Sequence, residues 1–169
     1  MIIIFTGDGK GKTSAGLGVA LRAAGHDMST LVIQFMKKQG SSGEHGIPSS
    51  MSHFIEIHPF GGDFIYAGDD ITGHIKMAEE AWAFMEKRLG EKNFHILILD
   101  ELTVALRFGL LSLKKVLDFL KTKPERLNVI ITGRDAQKEL MDMAHIITEM
   151  KKIRHIYDDG LPPVKGIDF

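Results

Sequence analysis

An apolar run from Ile2 to Phe5 gives way to Thr6, Gly7, Asp8, Gly9, Lys10, Gly11, Lys12 and Thr13, after which the chain enters a helix-like stretch from Ser14 to Arg22. Strand, glycine-rich turn and helix in that order restrict the fold strongly. Glycines let successive backbone N–H groups converge on one point, and that point lies at the positive end of the following helix. A loop built this way cradles phosphate. Lys12 adds a mobile cation for the outer phosphates, and Thr13 offers the hydroxyl that completes a Mg²⁺ shell shared with phosphate oxygens and, through water, carboxylates. The general motif places a glycine five residues before Gly11, and Thr6 stands there instead. The strand-loop-helix context carries the assignment.

The remainder of the chain repeats the same alternation. Short runs rich in β-branched residues recur at Ile2–Phe5, Thr30–Phe35, Phe54–Ile57, Phe94–Leu99, Asn128–Thr132 and Ile146–Ile147, separated mostly by helix-period segments. Such runs read as parallel strands buried on both faces. Helices are expected over Lys12–Ala24, Ile75–Leu89, a region Leu102–Lys121 interrupted near Gly109, and Ala136–Met143, with Pro124 and Gly133 as punctuation. Met77, Ala81, Trp82, Met85 and Leu89 share one stripe, so Trp82 is read as core rather than as a ligand platform. Three long irregular stretches remain, Lys37–Ser52, His58–Gly73 and Asp158–Phe169, and loops of that length in a small domain are usually functional or disordered.

With 169 residues and 44% hydrophobic content, one α/β domain over residues 1–169 is expected. The formal charge of -1, with basic residues dispersed apart from Lys37-Lys38 and Lys151-Lys152, argues against a nucleic-acid footprint. The absence of cysteine excludes disulfides and thiolate metal sites. No apolar stretch is long enough to span a membrane. The sequence starts directly against its first strand, so a cytoplasmic protein without presequence or N-terminal arm is expected.

A second nucleotide signature lies at Phe94–Leu99, a hydrophobic strand ending in Asp100 and Glu101. In a parallel sheet these carboxylates share the carboxyl edge with the phosphate loop, where Asp100 or Glu101 can reach Mg²⁺. The alternative is that they cap the next helix. Arg134 ends another strand, either approaching phosphate from the same edge or lying in a surface turn. Among the eight histidines, His53 and His58 are five apart in a strand-like stretch and are read as facing opposite ways. All the histidines are expected in surface or supporting roles. No nucleophile elbow or basic-aromatic stripe is present, which leaves covalent hydrolase chemistry without support.

Taken together, Phe5–Gly18, Arg22–His26, Val32–Lys37, Leu97–Thr103, Ile130–Arg134 and Gly166–Phe169 form an ordered series across the whole chain. That series resembles the P-loop-type ATP:corrinoid adenosyltransferases, and Thr6 with the run Gly9-Lys10-Gly11-Lys12-Thr13 looks like the family's own variant of the loop. The resemblance implies a P-loop NTPase-like, RecA-like fold with a mostly parallel sheet of about six strands flanked by helices. It implies transfer of the 5′-deoxyadenosyl group of ATP to the Co(I) of a corrinoid, with triphosphate as leaving group. Because Co(I) is itself a strong nucleophile, positioning and charge stabilisation are the main demands on the protein.

Carried over by position, Gly7, Asp8, Gly9, Lys10, Gly11, Lys12 and Thr13 would bind triphosphate, with Thr13, Glu101 and Asp100 on Mg²⁺ or Mn²⁺. Arg134 and Arg22 would be further phosphate contacts, and Gln34 and Lys37 stand at a strand end where the family builds its site. The family uses an aromatic segment to strip the lower axial ligand from cobalt, and the comparable stretch here, Gly62–Asp69, departs from it. Phe64 and Tyr66 are the candidates, the alternative being that both pack under their own loop. The family's N-terminal cover over the corrinoid is also missing, so a neighbouring subunit or the Asp158–Phe169 tail is expected to substitute. A homodimer and a flavoprotein or other reductase supplying Co(I) are further implications. Two rivals use the same cradle: a nucleotide kinase or ATPase, and a non-catalytic ATP-gated corrinoid carrier.

Overall fold

Isoleucine, valine and leucine fill the strands because both faces of the sheet are covered, and the computed structural model, which describes residues 1–169, shows how. The strands are β1 (Ile2–Thr6), β2 (Thr30–Gln34), β3 (Ile55–Pro59), β4 (Ile96–Asp100), β5 (Asn128–Thr132) and β6 (Ile146–Glu149). The helices are α1 (Lys12–Ala24), α2 (Thr72–Glu91), α3 (Leu102–Arg107), α4 (Leu113–Thr122) and α5 (Lys138–Met143). All pairings are parallel, in the order β3-β2-β4-β5-β1-β6. The architecture is the expected α/β one, with six strands, and is consistent with a P-loop NTPase-like fold.

Alternation along each strand sorts the core into two unequal halves. Leu31, Ile33, Leu97, Leu99, Val129 and Ile131 face the side packed by α2 to α5, in a cluster of 22 buried residues. Val32, Ile98 and Ile130 face α1, where Ala20 and Ala23 let the helix lie close, in a cluster of 7. Trp82 is fully buried in the larger half, edge-on to Phe119 with ring centroids 5.5 Å apart, and its Nε1 donates to Glu86 at 3.0 Å. The core reading of Trp82 is therefore correct, and truncation to alanine is expected to cost about 3–5 kcal/mol.

Two expectations need correction. Helix α2 starts earlier than Ile75, because the Asp70 carboxylate accepts from the Thr72 N–H at 2.9 Å and starts the first turn. His53 lies in a turn before β3, so strand alternation does not orient it against His58. His58 is within β3 and stacks obliquely on Phe84, with ring centroids 4.5 Å apart.

Parallel pairing has one functional consequence: the carboxyl ends of the strands, and the loops that follow them, meet at one edge. Gln34 of β2 is in register with Asp100 of β4 there.

Candidate active site

The loop between β1 and α1 is shaped by what it passes. Gly7 has φ +98°, and a Cβ on it would meet the Met150 carbonyl oxygen at 2.6 Å, so glycine alone fits between loop and β6 end. The Gly9 N–H donates to that same carbonyl at 2.6 Å. Lys12, on the first turn of α1, folds back into the loop and donates from Nζ to the carbonyls of Gly7 and Gly9 at 2.7 Å each. Burial lowers the Lys12 pKa from its ordinary value, opposed by the Glu101 charge. The ammonium is thus held within the loop by two of its carbonyls.

At the end of β4, Asp100 is completely buried and fully partnered. Its Oδ1 accepts from Thr13 Oγ1 at 2.8 Å and Thr132 Oγ1 at 2.7 Å, and its Oδ2 accepts from Gln34 Nε2 at 3.0 Å. Thr132 also accepts from the Glu101 N–H at 2.9 Å, which pins the backbone of the neighbouring residue. Glu101 adopts φ +58°, a left-handed conformation rare for a side-chain-bearing residue and typical of functional sites. Burial, then the adjacent Asp100 charge, raises the Glu101 pKa. Two carboxylates forced together in this way form an environment that a divalent cation relieves. No group of three His, Asp or Glu side chains surrounds a common point, so an ion here would draw its remaining ligands from phosphate and water.

Arg134 is brought to the same edge by Gly133. That glycine has φ +135°, and a Cβ on it would lie 2.2 Å from Thr103 Oγ1, which itself donates to the Arg134 carbonyl at 2.6 Å. Arg134 is exposed and lines the main cleft. Arg22 is not brought in: it stands in the last turn of α1, ten residues past Lys12 and hence about 15 Å along the helix axis. The helix that presents Lys12 and Thr13 carries Arg22 away from them.

Above the loop opens a cleft of about 780 Å³, walled by Asp8 to Ser14, Lys37, Glu44, Glu101, Arg134 and the tail residues Gly166 to Phe169. Beside it lies a second cavity of about 630 Å³, which takes in Met36, Ile65, Val104 and Phe108 and is the more apolar of the two. Phe64, Lys37, Glu101 and Arg134 line both. Phe64 is 85% exposed, so it is not packed under its own loop. Tyr66 is also exposed, but it lines neither cavity, and its N–H is tied to Asp69 in a local turn at 2.7 Å. The tail is anchored by Asp168, which accepts from Lys10 Nζ at 2.6 Å and from the Val164 N–H at 2.7 Å.

Residues 37–46 contribute more than the sequence suggested. Glu44 accepts from Lys37 Nζ at 2.6 Å and from Gln34 Nε2 at 3.0 Å. Burial alone would raise its pKa, yet hydrogen bonds from Lys37, its own backbone and Gln34 hold it at about 2. His45 donates to Gln34 Oε1 at 2.7 Å, and burial lowers its pKa, opposed by the Glu44 charge. A lone Glu and His in a Gly-Ser loop carry no motif. Thr132, by contrast, was readable as the last residue of a strand ending at the carboxylate edge.

The family described as ATP:corrinoid adenosyltransferase BtuR/CobO/CobP matches the chain across residues 1–169. Corrinoid adenosyltransferases from Pseudomonas aeruginosa and from a Sinorhizobium species are each 33% identical to it, over all of this chain and 83% and 80% of those proteins respectively. The Escherichia coli K12 corrinoid adenosyltransferase is 31% identical over all of this chain and 85% of that protein. Matched along its full length by the family model and by these relatives, this chain belongs to the ATP:corrinoid adenosyltransferase family.

Proposed function

We propose that this protein transfers the 5′-deoxyadenosyl group of ATP to the Co(I) of a corrinoid and releases triphosphate, in the synthesis or salvage of an adenosylated corrinoid. The observation that carries the reading is the shared wall between the two cavities: a polar, phosphate-binding cleft abuts a more apolar cavity, with Phe64, Glu101 and Arg134 common to both. An enzyme that joins the C5′ of a nucleotide to a large, flat acceptor needs two such sites in contact.

In the reaction, the cobalt electron pair forms the Co–C5′ bond while the C5′–O bond breaks and its electrons leave on triphosphate. No proton moves, so the reaction asks for no general acid or base. The residues therefore act by position and charge. Loop N–H groups between Gly7 and Thr13 other than that of Gly9, which is held by the Met150 carbonyl, would bind triphosphate together with Lys12, Lys10 and Arg134 and stabilise its growing charge. Lys12 would exchange the carbonyls of Gly7 and Gly9 for phosphate oxygens. Thr13, Glu101 and Asp100 would hold Mg²⁺ or Mn²⁺, which neutralises the leaving group when bound. Phe64 would lie against the corrinoid face, excluding water and a lower ligand. Tyr66 and Arg22 receive no role from their positions.

Supply of Co(I) requires an electron donor, so a flavoprotein or other reductase is the expected partner. A homodimer is the assembly that the family resemblance implies. No helix is long and apolar enough to cross a membrane, and a cytoplasmic location fits that reading. The test is anaerobic incubation with ATP, Mg²⁺, a strong chemical reductant and cobalamin. The expected result is loss of Co(I) absorption and a light-sensitive alkylcobalt product; ATP binding without any such product would overturn the reading.

A further inference from the structure

The amide of Gln34 is fully buried between the nucleotide edge and residues 37–46, and its orientation is fixed by a chain of donors and acceptors. The Gly40 N–H donates to His45 Nδ1 at 3.0 Å, so that nitrogen is unprotonated and the proton resides on Nε2. His45 Nε2 then donates to Gln34 Oε1 at 2.7 Å. With its oxygen engaged, the amide turns both N–H bonds the other way, one to Asp100 Oδ2 and one to Glu44 Oε1, at 3.0 Å each. A flipped amide would face an N–H with an N–H and two carboxylates with a carbonyl oxygen, forfeiting all three bonds.

Asp100 is the other end of this chain, and its Oδ1 holds the Thr13 hydroxyl. Lys37 extends the connection, donating to Glu44 at 2.6 Å and standing 3.7 Å from Asp100 Oδ2. Lys37 and Ser42, from the segment tethered by His45, line both the phosphate cleft and the apolar cavity. The chain of bonds thus runs from the Thr13 hydroxyl, through one buried amide, to the wall between the two cavities.

We propose that Gln34 and His45 are positioning residues that couple nucleotide occupancy to the shape of the acceptor cavity, so that MgATP and corrinoid bind cooperatively. The inference rests on the adenosyl-transfer reading of the site. When metal and phosphates engage Thr13 and Asp100, Asp100 retains Thr132 and Gln34 as its neutral donors. A shift of its carboxylate toward the metal is then passed through the Gln34 bond to the amide and, through His45 and Glu44, to the segment 37–46. Neither residue touches a reacting atom.

The experiment is titration of cob(II)alamin, with and without MgATP, into the wild type, His45→Leu, His45→Gln and Gln34→Met. In the wild type, MgATP is expected to tighten cob(II)alamin binding by about tenfold, and cob(II)alamin to tighten MgATP binding by the same factor. His45→Leu removes donor and acceptor together and brings the ratio to about one, while MgATP affinity without corrinoid changes less than about threefold. Gln34→Met, similar in volume to the native side chain, gives the same collapse. His45→Gln, which can both accept from Gly40 and donate to Gln34, restores the ratio.

A wild-type ratio of one, an unchanged ratio in His45→Leu, or failure of His45→Gln to recover it would overturn the coupling. Failure of the adenosyl-transfer reading has a different signature: the wild type binds both ligands yet forms no alkylcobalt product, whatever the coupling ratio.

Discussion

Thr13 Oγ1 and Asp100 Oδ1 lie 2.8 Å apart although 87 positions separate them in the chain. This bond joins the first turn of α1 to the carboxyl end of β4, and so ties the phosphate loop to the carboxylate edge before any nucleotide arrives. If Thr13 and Asp100 both hold the metal, as proposed, this bond presents them to an incoming ion as a preassembled pair.

Thr13→Val tests that pairing. Asp100 keeps Thr132 and Gln34, so the fold should lose only about 1.5 kcal/mol by urea unfolding. MgATP affinity, by calorimetric titration, should fall at least about tenfold, or about 1.4 kcal/mol.

Lys12→Met keeps the buried stem and removes the ammonium. Transfer should fall by about 100-fold or more, the usual consequence of deleting one charge-stabilising donor. The carbonyls of Gly7 and Gly9 lose their donor, so a stability loss of about 1–3 kcal/mol should accompany it. Single-turnover rates at saturating ATP separate the two effects.

Phe64→Ala should leave folding unchanged within about 0.5 kcal/mol, as expected for so exposed a side chain. ATP affinity should also persist. The transfer rate with Co(II) corrinoid under a weak reductant should drop, and Tyr66→Ala should have a smaller effect because Tyr66 lines neither cavity. Equal loss of ATP binding in Lys12→Met and Phe64→Ala would refute this division of roles.

Glu44 has a pKa of about 2 in the folded protein, against an ordinary value near 4.5. A depressed folded-state pKa contributes stability that is fully present above the ordinary value and is lost as pH falls toward about 2. Glu44→Gln should therefore be less stable than the wild type at pH 7, with the difference shrinking between about pH 4.5 and pH 2. Urea unfolding across that range reads the convergence directly.

Much of the fold was legible because parallel strands buried on both faces are written as continuous apolar runs, and β5 was read at its observed bounds, Asn128–Thr132. The phosphate loop and Asp100-Glu101 were legible for a related reason: each is a polar motif set at the end of such a run. What stayed hidden depends on three-dimensional closure. Glu44 and His45 sit in a loop with no periodicity, and their importance comes from Gln34, a polar residue inside a strand that only the β2–β4 register places beside Asp100. Arg22 misled because nearness in sequence to Lys12 becomes distance once the segment is helical. Tyr66 misled because two residues along an irregular loop need not face the same cavity.

The central claim concerns which bond of ATP breaks, and the phosphorus-containing product answers it. Phosphorus NMR of a single-turnover mixture with ATP, Mg²⁺ and chemically reduced cobalamin should show one triphosphate for each alkylated corrinoid. ADP or inorganic phosphate as the primary product would mean cleavage between phosphoryl groups, and would contradict adenosyl transfer in favour of a kinase or ATPase.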